Sequence, residues 1–166
     1  AFTGYLSLPA FPWDITSLGL NQAAVIWNTD HPSHLYKADL SRLRTITEDG
    51  DCRGICSTTD NDLLVTFIYP GKLHVLDEHG TVLCEIGTRA DSKPQLNYPL
   101  YLLVVTEKDK EIIYVSDQGT HTITKFSMTE QILLTYKDSD QNDHEDLLPL
   151  TMDMYWSVVI HATMSR

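Results

Sequence analysis

Four groups of side chains have the types and spacings that could do chemistry. Cys52 and Cys56 stand four apart in CRGIC, with His74, His79 and Cys84 further along. Tetrahedral zinc takes four nitrogen or sulfur ligands, most often as two close pairs. The second pair is missing, so Cys56 is expected to be a small buried thiol and no metal is assigned. The acidic run DSDQNDHEDLLP, residues 138–149, has the length of a calcium loop. Such a loop needs Gly at its sixth place and a bidentate Glu at its twelfth. Asp143 and Pro149 stand there instead, which predicts a solvated linker. Ser116, Asp117 and His121 supply the groups of a catalytic triad, but no Gly-x-Ser-x-Gly elbow holds the serine. Ser116 and Asp117 are expected to cap a turn. His31, His34 and His121 could ligate a divalent metal only if the fold brought them to one place.

Which elements would position these groups follows from the repeats. Laid against itself, the chain aligns as three units that begin PWDITSLGLNQAAVIW, CRGICSTTDNDLLVTF and PLYLLVVTEKDKEIIYVS. Ile15, Ile55 and Leu103 fall in register, as do Val25, Val65 and Val115. Each unit continues through HLYKAD, KLHVLD or TITKFS into RLRTIT, TVLCEI or QILLTY. Every segment has the length and the β-branched and aromatic content of a short strand, and the joins are rich in turn formers. In DEHGTV, Gly80 is free to take positive φ, and Gly119 is expected to do the same in the turn after Asp117. Tandem four-stranded antiparallel units of roughly 40 to 50 residues are the mark of a β-propeller. The fold class is therefore all-β: an incomplete propeller of three blades, at 11–48, 52–87 and 96–137, plus a partial fourth. The tail at 147–166 keeps apolar strand-like runs from Met152 to Ile160 but has no Gly, and reads as a degenerate half-blade. In this register the three histidines do not recur at an equivalent position, so they are expected to be turn residues.

The stretch LNYPLYLLVV…IIYVSDQGTHTITKF, from Leu96 to Phe126, resembles NHL repeats, the propeller blades at the carboxyl end of many tripartite-motif proteins. The likeness extends over residues 11–137 and thins after HEDLLP, where the Gly-Ile-like opening of another unit is absent. It implies a closed ring of about six blades, so other blades of the same propeller are expected to be missing. It further implies a substrate-recognising part of a ubiquitin ligase, with the catalytic RING and B-box modules on a segment outside this one. The paired Cys and His ligands of a RING are absent here, so the chain itself is expected not to be an enzyme. Trp13, Arg53 and Tyr101 occupy matching places at the entry to each unit. In the resembling family that entry lies near the rim used for binding. Aromatic and Arg side chains anchor partners well because they bury much area with few rotors. These three are the candidate partner-binding residues, and packing between blades is the competing role for the two aromatics.

Composition narrows the partners. The 166 residues carry 12 basic and 23 acidic side chains, a formal charge of −11, with no basic run. Such a balance repels nucleic acid and acidic membranes. RNA binding is thus a disfavoured alternative, with Arg53 and Tyr101 its candidate contacts. A metal-dependent propeller lyase or lactonase is a further alternative that the scattered histidines argue against. Three cysteines, an odd number, and no Asn-x-Ser/Thr site favour a cytoplasmic setting. No apolar run approaches the roughly 20 residues that span a bilayer. The opening AFTGYLSLPAF has no basic leader, so it is expected to be the interior of a longer chain rather than a signal peptide. No cofactor is assigned, and a protein of unknown identity is the expected partner.

Overall fold

The computed structural model describes residues 11–19, 22–28, 33–39, 42–48, 50–88 and 95–137. His31, the acidic run at 138–149 and the tail at 147–166 lie outside the described residues, as does the side chain of His34. Twelve strands follow one another: β1 (Pro12–Leu18), β2 (Gln22–Asn28), β3 (Ser33–Asp39), β4 (Arg42–Glu48), β5 (Cys52–Ser57), β6 (Leu63–Ile68), β7 (Gly71–Leu76), β8 (Val82–Ile86), β9 (Pro99–Glu107), β10 (Lys110–Asp117), β11 (Thr122–Ser127) and β12 (Ile132–Lys137). They form three antiparallel four-stranded sheets, each in chain order. Among the described residues no helix is long and apolar enough to cross a membrane.

The sheets stack side by side, closest along their first strands β1, β5 and β9. β1 and β5 run parallel: the Ile55 amide donates to Asp14 Oδ2 at 2.9 Å, and two residues on the Ser57 hydroxyl donates to the Ser17 carbonyl at 2.8 Å. This is the arrangement of propeller blades, an incomplete set of wedges around an axis. Strand alternation divides the apolar residues between two interfaces. Ile55, Val65 and Phe67 of the second blade meet Leu18, Ala24 and Ile26 of the first. Leu64, Leu73 and Val75 of the second meet Leu102, Ile113, Val115 and Phe126 of the third. All six residues of β6 are buried because the strand serves both interfaces, whereas all six residues of β12 are exposed.

The third unit departs from the repeat register. Ile15 pairs with Val25 and Ile55 with Val65, but Val115 pairs with Leu102, one residue short of Leu103. Irregularities in the ladder between Pro12 and Asp14, between Cys52 and Ile55, and between Ser116 and Asp117 absorb the extra residue at each strand entry. Gly80 takes φ 87° as its turn requires, but positive φ after Asp117 falls on His121, at 55°, and not on Gly119. A side chain at Gly119 would instead run into the Asn97 side chain. The constraint there is space.

Candidate functional site

Each sheet is a meander, so the starts of β1, β5 and β9 share one rim with the β6–β7 and β10–β11 turns. Asp117, at the end of β10, is fully buried beneath this rim. Its carboxylate accepts the amides of Asn97 at 2.6 Å, Tyr98 at 2.9 Å and Thr120 at 3.2 Å. One side chain thereby ties its own turn to the segment entering β9, and a buried carboxylate is tolerated because three N–H groups face it. Asp117 caps a turn as expected from its place in the strand. The hydroxyl of its neighbour Ser116 has no hydrogen-bond partner among the described residues. A serine without a base is not an activated nucleophile.

At the same rim, between the first and second blades, lies a stacked pair. The Arg53 guanidinium sits 4.0 Å from the centroid of the Trp13 ring. Arg53 Nη2 also donates to Asp51 Oδ2 at 3.1 Å. The side chains of Arg53 and Asp51 are mostly buried, while Trp13 is 54% exposed. Trp13 belongs to β1 and Arg53 to β5, so the stack spans the boundary between two blades. Repeat-equivalent positions become neighbours when blades lie in parallel, which is why two entry residues meet. The stack fixes the guanidinium plane, and a fixed plane can accept a carboxylate at little entropic cost.

Tyr101 stands half-buried on β9 opposite Ser116. The ladder makes Leu100 the structural counterpart of Trp13 and Arg53, with Tyr101 one place further in. The rim holds more aromatic surface than the repeats disclosed. Tyr69, 68% exposed in the β6–β7 turn, meets Tyr98 edge to face at 5.7 Å. Phe11, just ahead of β1, is exposed too. Both tyrosines precede a proline, in Tyr69-Pro70 and Tyr98-Pro99, a pairing that marks a turn but not its neighbours in space.

Elsewhere the polar clusters are structural. Glu85 on β8 accepts Lys72 Nζ at 2.8 Å and the Thr88 hydroxyl at 2.7 Å, and lies 3.2 Å from His74 Nε2. The Lys72 hydrogen bond leads in holding the Glu85 carboxyl down to about 2. The His74 ring rests on Phe67 with centroids 4.6 Å apart. Cys52, Cys56 and Cys84 form no disulfide, and burial pushes the Cys56 thiol up. Among the described residues no three His, Cys, Asp or Glu side chains form a group suited to a metal ion.

No protein-family model matches the chain, and no curated protein matches it. Solved structures do. A protein of unknown function from Bacteroides caccae is similar over 81% of this chain and 48% of its own, with TM-score 0.55 and 12% identity. Virginiamycin B lyase from Staphylococcus aureus is similar over 81% of this chain and 44% of its own, with TM-score 0.60 and 15% identity. Identities this low speak for the fold alone. The chain is a β-propeller part that spans less than half the length of either neighbour.

Proposed function

We propose that the chain is a non-catalytic protein-binding part of a propeller, with its ligand held at the rim of the first strands. The observation that carries this reading is the Trp13–Arg53 stack: an exposed indole and an oriented guanidinium, backed by Asp51, across a blade boundary. Tyr69, Tyr98 and Tyr101 extend the same rim. A rigid scaffold bearing aromatic and Arg anchors is suited to binding a peptide segment, because little order has to be imposed on the receptor. The resemblance to NHL repeats supports the finer reading that the peptide belongs to a substrate of a tripartite-motif-type ubiquitin ligase in the cytoplasm.

Selection of a displayed peptide library against the chain tests the rim. Selected peptides should lose about tenfold or more in affinity with Trp13→Ala and again with Arg53→Glu, the scale of a hot-spot residue. Equal affinity for wild type and the double variant would remove the rim from the reading. The lyase activity named for the Staphylococcus aureus neighbour supplies the competing outcome. Metal-dependent turnover of virginiamycin B by this chain would overturn the non-catalytic reading.

A further inference from the structure

The aromatic groups of the rim form two platforms, one at each blade boundary. Trp13 of the first blade, with the Arg53 guanidinium of the second over its ring, makes one. Tyr69 of the second blade and Tyr98 of the third, edge to face, make the other. Hydrogen bonds fix both to the scaffold. Asp51, which accepts Arg53 through its side chain, also accepts the Ile68 amide on its carbonyl at 3.1 Å, and Tyr69 is the next residue. The Tyr98 amide donates to the buried Asp117 carboxylate at 2.9 Å. Trp13 and Tyr69 nevertheless turn more than half of their surface to solvent.

The backbone of the rim disfavours a ligand added as a β-strand. It presents strand ends rather than a strand edge, and Pro12, Pro70 and Pro99 stand among them with no N–H to donate. A polyproline II segment needs no such ladder, because it makes no internal hydrogen bonds and leaves its carbonyls open to side-chain donors. It also has the right repeat. At about 3.1 Å per residue and a turn of three, residues i and i+3 share one face roughly 9 Å apart. Sheets stacked face to face lie about 10 Å apart. Prolines three apart therefore reach two platforms that are one blade apart. Arg53 keeps N–H donors beyond the one given to Asp51, and each tyrosine hydroxyl can donate to a peptide carbonyl. Charge selects the flank: a chain of formal charge −11 draws a basic peptide and repels an acidic one.

We propose, resting on the reading of the rim as a peptide site, that it docks a Pro-x-x-Pro segment with a basic flank in polyproline II form. One proline packs on Trp13 and the other on Tyr69 and Tyr98. Arg53 covers one face of the indole and leaves the other for the pyrrolidine ring. The pre-set backbone of such a segment keeps the ordering cost low on the ligand side, as the blades do on the receptor side.

Calorimetric titration of the full chain with capped synthetic peptides tests the spacing. The probe carries Arg beside Pro-x-x-Pro, with alanine at x. Moving the second proline by one residue in either direction should weaken binding about tenfold or more, and Glu in place of the flanking Arg about fivefold. Trp13→Ala and Tyr69→Ala should each weaken it about tenfold while the urea midpoint stays close to wild type, since both rings are exposed. Failure to bind with Kd below about 1 mM, or indifference to the spacing or to the flank, would overturn the proposal. Library-selected peptides that depend on Trp13 and Arg53 but carry no prolines three apart would overturn it alone and leave the rim a peptide site. If no selected peptide depends on the rim, both readings fall together.

Discussion

Glu85 is held by a lysine and a histidine on the neighbouring strand and by a threonine three residues on, and its protonation is linked to folding. Its carboxyl sits at about 2 in the fold against an ordinary 4.5, with the Lys72 hydrogen bond the leading cause. A depressed carboxyl adds stability that is complete above its ordinary value and is lost as pH falls toward the folded one. Glu85 therefore stabilises the sheet above about pH 4.5 and loses this contribution between there and pH 2. Its side chain is 37% exposed, so solvent screening trims the gain. The urea midpoint of wild type should fall faster than that of Glu85→Gln as pH is lowered through this window. Parallel curves for the two proteins would show that the cluster contributes nothing. Little of this cluster was legible in the sequence, because Lys72 and His74 meet Glu85 through cross-strand register, which no local spacing announces; Thr88 alone is local, three residues on. Asp117 was legible in part: its bond to Thr120 is local to the turn, whereas those to Asn97 and Tyr98 cross 20 and 19 residues.

Strands depend on parity, and parity is where the repeats both succeed and mislead. Val65 and Val115 could be matched because polar residues flank their strands, and both are fully buried at blade interfaces. In PLYLLVV, by contrast, apolar residues occupy both faces of β9, so the alternation that would separate Leu102 from Leu103 is silent. The extra residue at the strand entry resolves it, and puts Leu102 in the core. Such irregularities follow from how the blades approach each other, which a lone unit does not reveal. Gly54 marks a close approach. A Cβ there would collide with the Leu100 carbonyl of the next blade and crowd Thr66 Oγ1 at 3.1 Å. The obstacle is backbone on a packed first strand, which cannot swing aside as a side chain can. Gly54→Ala should cost about 2 kcal/mol, the scale of core overpacking, seen as a lower urea midpoint with an unchanged slope. Full stability in that variant would mean that the second and third blades are not fixed against each other along β5 and β9.

At the scale of the whole molecule the two blade interfaces meet in one strand. Val65 and Phe67 of β6 point into the first interface and Leu64 into the second, so neither core can open without disturbing the strand that supports the other. Arrays of repeats owe their stability to such neighbour terms as much as to the units themselves. This arrangement separates the effect of an apolar residue from the effect of its position. Leu64 is fully buried at the centre, and Leu133, on β12, is 47% exposed at the outer edge. Removing the same atoms from each should give unequal results. Leu64→Ala leaves a cavity between two sheets and should cost about 3 kcal/mol. Leu133→Ala leaves none and should cost less than about 0.5 kcal/mol. Because β6 is shared, Leu64→Ala should shift one cooperative urea transition, seen alike by tryptophan fluorescence, to which Trp13 and Trp27 of the first blade contribute, and by far-ultraviolet dichroism, which reports all the sheets. If the two signals separate, with the first blade unfolding apart from the others, the blades are independent modules and β6 does not couple them.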